Sequence, residues 1–117
     1  MADTGATEEA HEPEDLARLF LARANAGDVD GVVALYEPDA TLATPAGTVS
    51  GAAAIRDVYQ RLFADRPQFA GEIRPALRAG DLALTSTRFA GGVTAEIARR
   101  QPDGTWRWVA DQPNIVG

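Results

Sequence analysis

Apolar positions recur at helical spacing in the first half of the chain and alternate in the second, so the pattern divides it into a helical part and a sheet part. Leu16, Leu19 and Phe20, with Arg23 in register, predict a first helix. Pro13, Glu14 and Asp15 open it and Gly27 stops it. Asp28 is placed to cap a second, shorter helix carrying Val29, Val32, Val33 and Tyr36, ended by Pro38. Ala40 to Thr44 reads as a short strand, and Pro45-Ala46-Gly47 as a turn into Thr48 and Val49. Ser50 or Gly51 then opens the clearest helix, on which Ile55, Val58, Tyr59, Leu62 and Phe63 make one continuous apolar face before Pro67.

Beyond Pro67 the period shortens to two. Phe69, Ile73 and Leu77 alternate with Glu72, Arg74 and Arg78, which predicts one half-buried strand with an edge or bulge at Pro75. Gly80-Asp81 turns the chain into a strand from Leu82 to Phe89, and Gly91-Gly92 into another from Val93 to Arg100. Gln101-Pro102-Asp103-Gly104 is a hairpin loop leading to a last strand, Thr105 to about Gln112. Short links between strands force antiparallel neighbours. The expected class is α+β: a curved antiparallel sheet with helices on one face, wrapped around a long amphipathic helix, with a pocket between them.

Charge and composition narrow the chemistry. Among 117 residues there is no cysteine, one histidine (His11), and no lysine, so all eleven basic residues are arginines. Thiol, disulfide, histidine-triad and histidine-built metal chemistry are therefore disfavoured, and no cofactor is expected. The net charge of −6 resides at the N-terminus, where Asp3, Glu8, Glu9, Glu12, Glu14 and Asp15 precede any arginine. Acids and arginines balance thereafter, which leaves no basic surface for nucleic acid. Residues 1–12 read as a mobile acidic lead-in and 13–117 as one domain. With no basic start, secretion-type apolar run or membrane-length stretch, the expectation is a soluble cytoplasmic protein.

Several short motifs in order carry a resemblance. Phe20, Ala-Gly-Asp at 26–28, Val33-Ala34-Leu35-Tyr36, Pro38-Asp39-Ala40-Thr41, Gly51 and Tyr59, then Asp103-Gly104-Thr105-Trp106-Arg107 with Asp111, span about residues 14–116. This arrangement resembles the nuclear transport factor 2-like superfamily, nearest its SnoaL-like and ketosteroid isomerase-like branch. The resemblance implies a cone-shaped α+β barrel (the cystatin-like fold), usually dimeric, with a deep pocket. It does not imply one activity. The tyrosine, aspartate base and neutral carboxylic acid of ketosteroid isomerases fall at Phe20, Thr44 and Glu96, so only the last keeps its chemistry. The aspartate of SnoaL-type cyclases falls at Asp111, without their histidine. The two carboxylates of limonene epoxide hydrolases fall at about Glu96 and Asp111, but their arginine, tyrosine and asparagine positions hold Thr94, Leu42 and Thr44.

Glu96 and Asp111 are thus the candidate catalytic pair. A hairpin closing with Arg100 opposite Thr105 would set Asp111 against Thr94 and Glu96 against Val109, making the carboxylates diagonal neighbours. Plain alternation turns both to solvent, opposite a face of Val93, Ala95, Ile97, Trp106, Trp108 and Ala110. A single bulge would reverse one of them. Two carboxyls sharing a dry pocket become an acid/base pair. Phe20, Tyr36, Thr44, Tyr59, Phe63, Arg88 and Val109 are the candidate substrate-binding residues, although the apolar helix face favours core packing for Tyr59 and an open sheet edge is the commoner place for Arg88. The leading expectation is a small-molecule pocket protein, acting without a cofactor on an apolar carbonyl-like compound as an isomerase, cyclase or hydrolase. A ligand-holding domain and a protein-interaction module are the alternatives. A homodimer through the outer sheet face is expected, carried by Trp106, Trp108 and Ile97.

Overall fold

The structure, a computed structural model, describes residues 8–115. Helix α1 (Pro13–Asn25) begins with proline at its first position, and Asp15 accepts the Glu12 backbone N–H at 3.1 Å. Gly27, at φ 71°, stops it. Asp28 caps α2 (Val29–Val33) by accepting the Gly31 N–H at 2.9 Å. This helix is shorter than its sequence pattern predicts. Tyr36 leaves it to begin strand β1 (Tyr36–Thr44), and Pro38 lies inside that strand. Pro38 falls where the pairing of β1 with its neighbour slips between Tyr36 and Thr41, so its missing N–H breaks no ladder pair there.

Strand β2 (Gly47–Ser50) returns along β1, and α3 (Ala52–Phe63) follows from Gly51. Ile55, Tyr59 and Phe63 bury one stripe of α3, while Leu62 is left exposed. The rest of the chain is sheet: β3 (Glu72–Ile73), β4 (Leu77–Ala79), β5 (Leu82–Thr85), β6 (Thr87–Phe89), β7 (Gly92–Val93), β8 (Ala95–Arg100) and β9 (Trp106–Gln112).

Three strands that the pattern predicts as continuous are each broken in two. The breaks, at Arg74–Ala76, Ser86 and Thr94, lie side by side, bridged by Arg74 N–H to Ser86 O at 3.0 Å and Thr94 N–H to Thr87 O at 2.9 Å. Pro75 cannot donate to a ladder, and Thr87 N–H bonds the Thr94 hydroxyl instead of a strand partner. The segments on one side of this line form a three-stranded sheet, β3-β6-β7. Those on the other side join β1, β2 and β9 in a six-stranded sheet of order β2-β1-β9-β8-β5-β4. Neighbours are antiparallel except β1 and β9, which run parallel because the chain visits the whole sheet before returning beside its first strand. The two sheets and the helices enclose the cavity described below.

Two rows of residues cross the larger sheet. Val49, Leu42, Asp111, Glu96 and Thr85 are successive partners on β2, β1, β9, β8 and β5. The next row runs Ser50, Thr41, Ala110, Ile97, Leu84 and Leu77. In the first, Leu42, Asp111, Glu96 and Thr85 are buried. In the second, Ile97, Leu84 and Leu77 are exposed. The tryptophans therefore do not carry the outer face: Trp106 and Trp108 are buried in the core, and the outer apolar face belongs to leucines and Ile97.

Packing begins before residue 13. Ala10 is buried and its carbonyl accepts the Trp106 N–H at 2.8 Å, so residues 8–12 are part of the domain; residues 1–7 lie outside the described residues. No helix among the described residues is long and apolar enough to cross a membrane.

Candidate active site

A cavity of about 740 Å³ lies between α1, α3 and the concave face of the sheets. Phe20, Leu21, Val58, Tyr59, Leu62, Phe69, Phe89 and Trp108 supply apolar and aromatic wall, so the exposed Leu62 borders the cavity. The rings interlock edge to face: Phe20 stands 5.6 Å from Phe69, 5.9 Å from Tyr59 and 6.1 Å from Trp108 between centroids. The exposed polar lining includes Arg61 and Asp65; the buried charged lining is Glu96 and Asp111.

The register of the last hairpin sets this pair. Arg100 pairs with Trp106, not Thr105, and a bulge follows. Ala98 pairs with Trp108 and Ile97 with Ala110, leaving Val109 as the extra residue. Asp111 therefore stands directly opposite Glu96, not diagonally across from it, with Cβ atoms about 5 Å apart by strand geometry. The bulge also turns Asp111 onto the same face as Trp108. Glu96 needs no such device, since it alternates regularly with buried Ala98 and exposed Ile97.

Each carboxyl receives its own hydroxyl donors. Tyr36 donates to Asp111 Oδ2 at 2.5 Å, and the Tyr59 hydroxyl lies 2.6 Å from that of Tyr36. Tyr36 spends its only proton on Asp111, so Tyr59 is the donor between the two tyrosines. Thr85 donates to Glu96 Oε1 at 2.6 Å and accepts the Trp108 indole N–H at 3.0 Å. Burial pushes the Asp111 carboxyl up to about 6, against the pull of the Tyr36 hydroxyl. Burial, then the Asp111 charge, push Glu96 up to about 7, against the Thr85 and Thr94 hydroxyls. Burial, with the Asp111 charge behind it, raises both tyrosines and keeps them protonated donors. Neither carboxyl meets an arginine within ion-pair distance among the described residues. Both shifts run in the same direction, toward the neutral acid, so two facing buried carboxyls hold their protons to higher pH than free ones do.

The structure gathers most of the candidate residues but not all. Phe20, Thr44 and Tyr59 line the cavity beside Glu96 and Asp111. Tyr36 stands behind Asp111 and acts through it. Phe63 is a buried neighbour of Tyr59 and Phe69, and does not form cavity wall. Arg88 is exposed and faces Glu72 at 3.8 Å, so it neither reaches the cavity nor orients Glu96. Val109 makes the bulge and does not line the cavity either. His11 is exposed, with its backbone on Asp15. Sequence reasoning did not single out Phe69 or Trp108 for the cavity wall, nor Thr85 as the donor to Glu96. Only the strand register places Thr85, and nothing in Leu82-Ala83-Leu84-Thr85 marks it.

A sequence model of the SnoaL-like domain matches residues 17–115. Among solved structures, a ketosteroid isomerase-like protein from Erwinia carotovora atroseptica superposes with a TM-score of 0.70 at 23% identity, covering 84% of this chain and 88% of that one. An NTF-2 like protein of unknown function from Shewanella oneidensis superposes at 0.68 with 16% identity, covering 83% and 91%. A SnoaL-like protein of unknown function from Burkholderia thailandensis superposes at 0.61 with 18% identity, covering 95% and 94%. At these identities the likeness is one of fold: the cystatin-like α+β architecture.

Proposed function

The chain belongs to the SnoaL-like family, and from that premise we propose that it is a small-molecule enzyme performing proton transfer on an apolar carbonyl compound, without a cofactor. The observation that carries this reading is the direct opposition of Glu96 and Asp111, both buried, at an apolar cavity. Asp111, the weaker base made strong enough by burial, takes a proton from carbon beside the carbonyl. Glu96, protonated below about 7, gives a hydrogen bond to the oxygen on which charge develops. The product forms when the proton returns from Asp111 to another atom, so an isomerisation or a related cyclisation needs nothing beyond these two groups. Phe20, Tyr59, Phe69 and Trp108 bind the apolar body of the substrate and keep water from the pair.

Hydrogen–deuterium exchange tests the reaction class before the natural substrate is known. In D2O, a panel of cyclic unsaturated ketones should gain deuterium beside the carbonyl faster with the protein than without it. Asp111→Asn should lower that rate about 10²- to 10⁴-fold. Exchange that Asp111→Asn and Glu96→Gln leave unchanged would refute the assignment, and the cavity would then be read as a ligand-holding one.

The same reading expects two copies joined through the outer sheet face. Its support is the adjacency of exposed Leu77, Leu84 and Ile97 on three neighbouring strands, a patch suited to covering by its own symmetry mate.

A further inference from the structure

Thr85 has no place in the proton-transfer step, yet it is buried, ends β5 and stands directly opposite Glu96. Its hydroxyl has one proton and two lone pairs. The Trp108 indole N–H can only donate, and it occupies the Thr85 oxygen from one side at 3.0 Å. The Thr85 proton is then directed at Glu96 Oε1, 2.6 Å away. The indole can only donate to Thr85, and Thr85 in turn gives its one proton to Glu96, so both bonds run toward the carboxyl. A protonated carboxyl accepts best on its carbonyl oxygen and donates from the other. Fixing Oε1 as acceptor therefore fixes where an acidic proton on Glu96 must sit. Thr94 is arranged in the same sense: its oxygen accepts the Thr87 N–H at 2.9 Å and its hydroxyl faces Glu96.

We propose that Thr85 is a positioning residue, aimed by Trp108, which makes Glu96 accept at Oε1 and carry its proton at Oε2. The catalytic meaning of this rests on the acid/base reading above; the hydrogen-bond order does not. Thr85 also sustains the acidity of Glu96. Its donation favours the ionised carboxylate and opposes burial and Asp111, which both favour the neutral acid. Without it, Glu96 would hold its proton to higher pH and give it up less readily at neutrality.

Carboxyl titration by NMR on the ligand-free protein tests the proposal. Thr85→Val keeps the branched shape and removes the hydroxyl, and should raise the Glu96 midpoint by about one pH unit. Thr85→Ser should bring it back to the unsubstituted value, which a purely packing role for the methyl group would not. In the unsubstituted protein, the Trp108 indole N–H resonance should shift with the midpoint of Glu96, since the relay joins them. A folded Thr85→Val protein with an unmoved Glu96 midpoint would overturn the proposal. Should that variant fail to fold, an indole resonance flat through the Glu96 titration would overturn it equally. Neither readout involves turnover, so this failure is separate from loss of the Asp111-dependent exchange.

Discussion

Asp111 and Trp108 point to the same side of β9 although three positions separate them, a spacing that in a regular strand puts side chains on opposite faces. Val109, the unpaired residue between Trp108 and Ala110, removes the conflict. The bulge lets one short strand deliver two large rings to the core and a carboxyl to the cavity. It also aligns that carboxyl with Glu96.

Stability should report the carboxyl pair directly. Both groups hold protons more tightly folded than unfolded, with Asp111 at about 6 and Glu96 at about 7. Between about pH 4 and 7 the native state therefore binds more protons than the unfolded chain, and this contribution to stability falls as pH rises. Each shift corresponds to roughly 3 kcal/mol if fully expressed. Asp111→Asn should flatten the fall, and at pH 8 the variant should be more stable than the unsubstituted protein. Urea unfolding of both proteins from pH 4 to 8 measures this. Parallel curves would mean that the pair is not buried in the native state.

The two tyrosines should differ in their influence on Asp111. Tyr36→Phe removes the donor on Oδ2 and strands the Tyr59 hydroxyl, so the Asp111 midpoint should rise and stability should fall by about 1–2 kcal/mol. Tyr59→Phe leaves the Tyr36 donation intact and should move Asp111 less. Carboxyl titration of both variants ranks them. A larger shift from Tyr59→Phe would reverse the donor order described here.

Much of this architecture was legible in the sequence because its signals are local. Pro13, Asp28 and Gly27 mark their helix ends, and the alternating periods separate helices from strands. Glu96 and Asp111 were identifiable as a pair by resemblance and by their shared hairpin. What escaped reading depends on pairing between distant segments. No local feature distinguishes a strand that continues through Ser86 from one that changes sheets there, because the reason lies in Thr94 taking the Thr87 N–H. Tyr36 fits a helix face as well as a strand start, and its assignment to β1 follows from Trp108 beside it on β9. The outer face departs from the sequence expectation for the same reason. One residue of register in the last hairpin decides whether the tryptophans face out with Ile97 or in with Ala98.

Association is expected through the row Leu77, Leu84 and Ile97, with relative exposures of 70%, 48% and 46%, and Leu82 nearby at 44%. A stable interface removes about 800 Å² per partner from water, which requires a broad patch of this kind. Sedimentation at micromolar concentration should give a dimer. Leu84→Glu should give a folded monomer, since the side chain is already solvent-facing and a charge there opposes only the contact. A monomer before substitution would remove this interface from consideration.

The segment before α1 should prove necessary, contrary to the expectation from its acidic composition. Ala10 is buried and its carbonyl takes the Trp106 N–H, while Arg23 from α1 donates to the carbonyl of Glu8 and, at 2.8 Å, to that of Gly31. Arg23 is itself buried and meets no carboxylate within ion-pair distance among the described residues, so carbonyl dipoles are what hold its charge. Removing residues 1–12 takes away the Glu8 carbonyl, the Ala10 contact and the Glu12 end of the helix cap together. A loss of about 2–4 kcal/mol, lowering the melting temperature by more than about 5 °C, is expected. Arg23→Met in the full chain should cost about 1–3 kcal/mol, because two carbonyls lose their donor. The same substitution in the truncated chain should cost less, since the Glu8 carbonyl is already gone. Melting curves of the four proteins close a double-mutant cycle. Strict additivity would show that Arg23 and the leading segment act independently, and that the Arg23–Glu8 contact contributes nothing to holding the segment in place.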